Sequence, residues 1–212
     1  MRITKFGHSC VRIEHDGTVL VIDPGGFTER EALDGATAVL VTHEHPDHLD
    51  LDHLRGTDAP VFTVGAVARQ IEAAPEVRER VTVVTPGGSF DAGLPVQAVG
   101  ELHAVLHDDV PRIANSGFLV RAGDATVYHP GDSFTEPGEP VDVLLTPVSA
   151  PWLKLAEAVD FARAVGAPRN VGIHDKVSSA AGIRIVDTRM AELLGARGLG
   201  YERPDDGSDM SS

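Results

Sequence analysis

The chain has few of the features that mark exported, membrane-bound or nucleic-acid-binding proteins. Its 212 residues include one cysteine, Cys10, which excludes an internal disulfide and any Cys-x-x-Cys motif. No run approaches the roughly 18 apolar residues of a membrane span, and residues 1–10 contain no apolar signal region. With 18 basic against 32 acidic residues, the formal charge of −14 disfavours binding to nucleic-acid phosphates. We therefore expect a cytoplasmic protein without nucleic-acid or membrane partners. Its oligomeric state stays open.

The apolar pattern predicts a globular protein that begins with short strands. An apolar fraction of 42% in 212 residues is enough for a domain with a sizeable core. Residues 10–15 and 18–23 have the pattern of two strands joined by an Asp-Gly turn, which is a strong hairpin signal. Residues 37–42 form a continuous apolar run that is typical of a buried strand.

Further strand and helix patterns predict a second sheet. Strand-like segments continue through the middle of the chain, and helical patterns over 154–166 and 183–195 flank a strand at 170–174. Two runs of strands, each closed by helices, indicate an α/β protein in four layers, with two sheets face to face and helices outside. We expect a single domain over residues 1–203 and a disordered tail over 204–212.

Residues 40–54, LVTHEHPDHLDLDHL, hold four of the ten histidines and four carboxylates. The metalloprotease motif H-E-x-x-H is excluded, because Asp47 stands where its second histidine would be. Pro46 disfavours a helical conformation at the residue before it, so His45 is expected to be extended. His43 and His45 then share one face of the chain and can bind one cation.

Asp47 and His48 follow at the next turn and can reach a second cation. Imidazole and carboxylate ligands suit zinc, manganese or iron. Asp47 could instead cap a short helix over residues 48–55. The remaining polar residues of the stretch are expected to be solvated rather than bound to metal: Glu44, Asp50, Asp52 and His53.

Three places downstream offer further ligands. GELHAVLH contains His103 and His107, YHPGDS contains Asp132, and NVGIHDK contains His174 where a predicted strand ends. Taken singly, a Pro-Gly turn or a histidine at a strand end is ordinary. Together with the His-rich stretch, these residues indicate a site for two metal ions, with an open position for water if the site is hydrolytic.

The motifs THEHPDH, GELHAVLH, HPGDS and GIHDK follow one another over nearly the whole chain, and the set resembles the metallo-β-lactamase fold superfamily. The opening TKFGHSCVRIEHDGTVLVIDP is similar to the compact UlaG-like and UPF0173-type branch of metal-dependent hydrolases. The resemblance implies an αββα sandwich, in which two mixed β-sheets are flanked by helices. It also implies two divalent metal ions as cofactors, zinc foremost, with manganese or iron as alternatives.

The resemblance further implies a role for each motif residue. The first metal would be held by His43, His45 and His103, the second by Asp47, His48 and His174, and Asp132 would bridge both. His107 is the alternative to His103 as a ligand. Asp23, which ends a strand, would support the ligand loop and orient an imidazole. His8 would contact substrate or fill a turn between strands.

The implied reaction is attack by a metal-bound hydroxide on an ester, lactone, amide or phosphodiester bond of a small-molecule substrate. His107 and Asn115 would line the open face, and Trp152 would contact the ligand or pack in the interior. Asp132 and Asp47 are the candidate catalytic carboxylates, and the proton would come from Asp47 or from water. Two alternatives stay open on the same fold: an iron-dependent oxidoreductase and a non-catalytic metal-binding module.

Overall fold

The chain folds into two β-sheets of seven strands each, in a computed structural model that describes residues 1–210. The first sheet contains β1 (Arg2–Lys5), β2 (Val11–His15), β3 (Thr18–Ile22), β4 (Ala38–Val41), β5 (Val61–Thr63), β6 (Val81–Val83) and the last described strand, β14 (Ser208–Asp209). The second contains β7 (Ser89–Asp91), β8 (Pro95–Val99), β9 (Gly117–Ala122), β10 (Ala125–His129), β11 (Val143–Pro147), β12 (Arg169–Ile173) and β13 (Gly200–Glu202).

Both sheets are mixed. In the order β14-β1-β2-β3-β4-β5-β6, the strands pair antiparallel as far as β3 and parallel from β3 to β6. In the order β13-β12-β11-β10-β9-β8-β7, the pairs from β13 to β10 are parallel and the others antiparallel. The helices are a 3-10 turn (Arg30–Leu33), α1 (Leu51–Arg55), α2 (Gly65–Ile71), α3 (Pro75–Arg78), α4 (Leu155–Val165) and α5 (Ala180–Gly195).

Three apolar clusters hold four layers together. The central cluster lies between the sheets and joins side chains such as Leu20 and Leu40 to Phe118 and Leu145. A second cluster packs the first sheet against α1, α2 and α3, and a third packs the second sheet against α4 and α5. Every residue of β4 is buried because this strand contacts a layer on each face. The predicted αββα sandwich is thus confirmed.

Local sequence signals explain the ends of several elements. Asp16 and Gly17 join β2 to β3 with φ values of 46° and 81°, as a two-residue hairpin turn with positive φ at both positions requires. The backbone N–H of Lys154 donates to Glu157 at the start of α4, and Gly166 ends that helix with a φ of 69°.

The carboxyl-terminal segment differs from the prediction of a disordered tail. Residues 204–210 are ordered, since β14 pairs with β1 and Met210 is buried in the central cluster. Lys5 is fully buried and its ammonium group lies 2.7 Å from Asp206 and 3.1 Å from Asp175. The polar composition suggested disorder, but these long-range contacts supply the stabilisation. Residues 211–212 of the predicted tail lie outside the described residues.

None of the helices within residues 1–210 combines the length and the apolar character that crossing a bilayer requires.

Candidate metal centre

Loops that follow strands carry the polar side chains of the site to one edge of the sandwich. The loop after β4 supplies His43, His45, Asp47 and His48, while His103, Asp132 and His174 follow β8, β10 and β12. His8 lies in the turn between β1 and β2. The carboxyl ends of parallel strands meet at one edge of a sheet, so the fold itself gathers residues that are far apart in the chain.

These side chains form two groups, and the potential ligand atoms within each group lie within 4.8 Å of one another. The first group is His43, His45, His103 and Asp132, and the second is His8, Asp47, His48 and His174. The structure therefore brings together all seven residues predicted as ligands and adds His8. Their roles as ligands stay a prediction.

Asp132 lies where the two groups meet. Its Oδ1 is 3.1 Å from Nε2 of His48, and its Oδ2 is 3.1 Å from Nε2 of His174. The same Oδ2 lies 3.3 Å from Nε2 of His103 and 3.8 Å from Nε2 of His43. Because its oxygens reach imidazoles of both groups, Asp132 occupies the place expected for a carboxylate shared by two cations.

Hydrogen bonds on the far side of three imidazoles leave their Nε2 atoms facing this carboxylate. The Nδ1–H groups donate from His48 to Asp23 at 2.7 Å, from His103 to the carbonyl of Ala104 at 2.7 Å, and from His174 to the carbonyl of Ser149. Within residues 1–210, the three Nε2 atoms and Oδ1 of Asp132 are buried without a hydrogen-bond partner. An unsatisfied buried polar atom costs about 1–3 kcal/mol. Cations bound between these atoms would satisfy all four, so the residues present fit metal ions.

Asp23 supports both the strand end and the His-rich loop. Its carboxylate accepts hydrogen bonds of 2.7 Å from the backbone N–H of Thr42, from the Thr42 hydroxyl and from His48. Since the Thr42 hydroxyl donates its hydrogen to Asp23, its oxygen accepts from Nδ1 of His43 at 2.9 Å. Nε2 of His43 is then left for a ligand, 3.0 Å from Nδ1 of His45. The predicted position of Asp23 behind an imidazole agrees with this geometry.

The charges of the site favour a positive charge at two Nε2 atoms. Burial by itself lowers the pKa of His174, but the carboxylate of Asp132 outweighs burial and raises this pKa to about 9. Burial also lowers the pKa of His48, but the charges of Asp132 and Asp23 outweigh burial and raise this pKa well above its usual value. A proton can supply this positive charge in the metal-free protein, and a metal ion can replace it.

Three residues of the site have the left-handed backbone conformation that non-glycine residues rarely adopt. The φ values are 64° for His8, 52° for Asp23 and 60° for His174. Such residues cluster at functional sites, where the surrounding structure holds them in place. Each of the three is at most 2% exposed, and together they fix the direction of side chains in the second group.

Two glycines allow the loops to approach each other closely. A Cβ at Gly25 would lie 2.0 Å from the carbonyl oxygen of Asp47, and one at Gly131 would lie 2.3 Å from Oδ1 of Asn115. Gly131 also has a φ of 62°. Larger residues at these positions would push the ligand loops apart.

Three residues predicted as substrate contacts do not line the cleft that opens above the site: His107, Asn115 and His8, the last of which is fully buried. His107 has a side chain that is 67% exposed, and its Nδ1 accepts a hydrogen bond from the backbone of Asp109. Asn115 is fully buried, where it donates to the carbonyl of Pro130 and accepts from the backbone N–H of Asp132. Asn115 instead holds the Asp132 loop, because its amide matches the backbone groups of that loop.

The His-rich stretch also contains a helix cap at a different position from the one considered. Asp50, not Asp47, caps α1 by accepting from the backbone N–H groups of Asp52 and His53. His53 is 6% exposed, so the expectation that it is solvated is wrong. Its Nδ1 lies 3.2 Å from the carbonyl oxygen of Pro24. Glu44 belongs to neither group of potential ligands.

Two supporting residues were not predicted from the sequence. Thr42 immediately precedes His43, so its position at the strand end was an available signal. His129 is fully buried and bonds through Nε2 to the carbonyl of Ser9 and through Nδ1 to the backbone N–H of Gly131. No local signal indicated this role, because Ser9 lies 120 residues earlier in the chain.

A cleft of about 290 Å³ opens above both groups of ligands. Its wall is largely apolar and includes Leu106, Val110, Ile113, Pro151, Trp152 and Val177. The indole N–H of Trp152 donates to Oδ2 of Asp132 at 3.0 Å, so this side chain lines the cleft and also holds the Asp132 carboxylate in place. Among the lining residues that the structure describes, Arg112 is the only charged one that is not a potential ligand.

Two relatives are similar to this chain in sequence, and a solved structure is similar to it in fold. Protein Rv0786c of Mycobacterium tuberculosis is 40% identical over 203 residues, which are 91% of this chain and 92% of that protein. A UPF0173 metal-dependent hydrolase of Pyrobaculum arsenaticum is 33% identical over 144 residues, covering 63% of this chain and 62% of the hydrolase. The structure of Igni18, a metallo hydrolase from Ignicoccus hospitalis, superposes with a TM-score of 0.78 at 20% identity, covering 99% of this chain and 97% of that one.

The sequence model described as "Beta-lactamase superfamily domain" matches residues 2–174, which include every potential ligand named above. The resemblance inferred from the motifs is thereby confirmed. This chain belongs to the beta-lactamase superfamily.

Proposed function

We propose that this member of a superfamily of metal-dependent hydrolases binds two divalent ions and hydrolyses an ester or lactone bond of a compact substrate that carries an apolar group. The observation that carries the proposal is the convergence of buried, unpartnered atoms on one point. Three imidazole Nε2 atoms face the Asp132 carboxylate there: that of His48 lies beside the unpartnered Oδ1, and those of His103 and His174 lie beside Oδ2. Buried polar atoms of this kind need a partner, and a bound cation supplies one.

The donor set favours zinc, with manganese or iron as alternatives. Each group offers imidazole nitrogens together with a carboxylate oxygen, and no thiolate is near because Cys10 belongs to the cluster between the first sheet and its helices. Two such ions, when bound by these residues, would lower the pKa of a coordinated water and polarise the bond under attack.

Three other side chains of the site have distinct roles in this proposal. Burial by itself raises the pKa of Asp47, but the imidazoles of His174 and His8, whose Nε2 atoms lie 3.5 and 3.1 Å from its Oδ2, outweigh burial, so this pKa lies well below its usual value. A carboxylate that stays ionised suits a metal ligand better than a proton donor, so we assign the leaving-group proton to water. Trp152 and Asn115 orient Asp132, the former through its carboxylate and the latter through its backbone N–H.

The cleft favours an uncharged ester or lactone over a phosphodiester. Leu106, Val110 and Val177 are between 43% and 49% exposed at its mouth, an unusual density of exposed aliphatic side chains beside a polar site. An apolar substituent of the substrate would cover them, gaining up to about 0.8 kcal/mol per buried methylene. The guanidinium of Arg112 offsets little of the repulsion between an anionic phosphodiester and a protein with a formal charge of −14. We propose a small-molecule substrate and no nucleic-acid or membrane partner on these grounds.

The first experiment measures the metals in freshly purified, tag-free protein by elemental analysis and then assays hydrolysis. We expect about two zinc or manganese ions per chain, and cleavage of aryl esters or lactones rather than of diaryl phosphodiesters. Lengthening the acyl chain should raise kcat/KM by up to about fourfold per methylene. His103→Ala should lose metal and activity, whereas the control His107→Ala should keep both, because His107 is exposed outside the cleft.

Other outcomes would change the proposal. Bound iron with redox-dependent colour would favour the oxidoreductase alternative. Absence of metal after reconstitution would overturn the dinuclear site, and activity on phosphodiesters alone would overturn the substrate class.

A further inference from the structure

His8 differs chemically from the other histidines around the candidate metal centre. By distance alone it belongs to the second group, since its Nε2 lies 3.1 Å from Oδ2 of Asp47 and close to His48 and His174. We infer that His8 is not a metal ligand but a positioning residue, whose Nε2–H donates to Asp47 and holds that carboxylate towards the second metal.

The position of the imidazole proton carries this inference. The backbone N–H of Lys176 donates to Nδ1 of His8 at 3.1 Å. A backbone N–H can only donate, so Nδ1 must present a lone pair and cannot hold a hydrogen. The imidazole then carries its single hydrogen on Nε2, which points at an Asp47 oxygen. A nitrogen that bears a hydrogen has no lone pair for a metal ion.

The other histidines of the site show the opposite arrangement. His48, His103 and His174 all donate through Nδ1 and leave Nε2 without a hydrogen-bond partner among the described residues. The Nε2 of His8 is absent from that set of unpartnered atoms because Asp47 accepts its hydrogen. The second group of four thus contains three atoms suited to a cation and one donor that orients a ligand.

The surroundings keep His8 in this orientation. The residue is fully buried, and its ring packs against Phe27 and His174 with centroid distances of 5.2 and 4.0 Å. Its carbonyl oxygen also accepts a 3.0 Å hydrogen bond from the backbone N–H of His174. His8 therefore contacts two potential ligands of the second metal, Asp47 through its ring and His174 through both its ring and its backbone. Its φ of 64° lies in the left-handed region.

A direct test is the tautomer of His8, read by ¹⁵N–¹H correlation NMR on the full-length protein, both metal-free and loaded with zinc. The resonances are assigned with the His8→Gln variant, in which the His8 signals disappear. We expect a protonated Nε2 and an unprotonated Nδ1 in both forms. An Nε2 of His8 that loses its hydrogen when zinc binds would overturn the inference. This readout needs no substrate, so it does not depend on the proposed hydrolysis.

Two substitutions separate the hydrogen bond from the backbone conformation. In His8→Gln the amide nitrogen stands near the position of Nε2 and can still donate to Asp47, whereas in His8→Asn the shorter amide cannot reach it. Asparagine nevertheless tolerates positive φ better than glutamine does. If the Nε2–H bond matters, His8→Gln should bind the second zinc within about threefold of the wild type, and His8→Asn about 10–100-fold more weakly.

The competing outcomes are distinct. If His8 were a ligand, both variants would bind one zinc per chain instead of two. If only the backbone turn mattered, His8→Asn would bind zinc better than His8→Gln. Either result, measured by competition with a chromogenic chelator, would overturn the inference while leaving hydrolysis by the wild-type protein intact.

Discussion

The Nδ1–H of His48 donates to the carboxylate of Asp23 at 2.7 Å, and both side chains are fully buried. Asp23 also accepts two hydrogen bonds from Thr42, so a single carboxylate fixes the end of β4 and the direction of His48. The orientation of a candidate ligand therefore depends on a residue 25 positions earlier in the chain.

Asp23→Asn should weaken metal binding about 10–100-fold without unfolding the protein. An amide has one acceptor oxygen in place of two, and its NH₂ group would face hydrogen-bond donors. Asparagine accommodates the φ of 52° at this position, so the backbone can stay in place. Zinc titration would measure the loss and circular dichroism the fold. Unchanged affinity would show that His48 needs no support from Asp23.

Asp132→Ala should reduce the content of both metals together, because Asp132 lies within 3.1–3.8 Å of imidazoles from both groups. Elemental analysis after dialysis against dilute zinc would measure the effect. Glu44→Gln is the matched control within the His-rich loop, and its metal content should equal that of the wild type. Loss of one metal alone in Asp132→Ala would contradict a shared carboxylate.

Metal affinity should rise with pH between about 6 and 9. Burial alone lowers the pKa of His174, but the Asp132 carboxylate raises it to about 9, so below that pH the metal-free imidazole holds a proton that the cation must displace. Each displaced proton makes the affinity rise about tenfold per pH unit, and it levels off above the pKa. His48, whose pKa is also raised, can contribute a second proton. Zinc titrations at several pH values would measure the slope, and a flat profile would contradict the prediction.

Asp206→Asn should lower the free energy of unfolding by about 1–3 kcal/mol, because the buried ammonium of Lys5 would lose a charged hydrogen-bond acceptor at 2.7 Å. Urea denaturation would measure the change. Asp205→Asn, which alters the exposed neighbouring carboxylate, should have little effect. Equal stability of both variants and the wild type would favour the disordered tail expected from composition.

The sequence was most informative where residue types that bind metals directly follow a predicted strand. His43, His45, Asp47 and His48 could be predicted as one unit, since Pro46 excludes a helix and a buried strand precedes them. Asp132 and His174 follow strands in the same way, and His103 follows β8 at a short distance. The two-sheet order also followed from periodicity, because buried strands and amphipathic helices leave different apolar repeats.

Other features depend on contacts between distant parts of the chain. The proton on His8 is placed by a backbone N–H 168 residues away, and Asn115 was taken for a substrate contact although it binds the loop of Asp132. The order of residues 204–210 likewise rests on Lys5 and β1.

The sequence by itself thus determined which side chains can bind a cation and the order in which strands present them, since residue type and local periodicity are properties of short segments. Only the tertiary structure decided which nitrogen of each imidazole faces the centre, because that choice is made by the hydrogen bond on the opposite side of the ring. The partner in that hydrogen bond belongs to whichever segment the fold packs against the ring. For His48 this partner is Asp23, and for His8 it is the backbone N–H of Lys176.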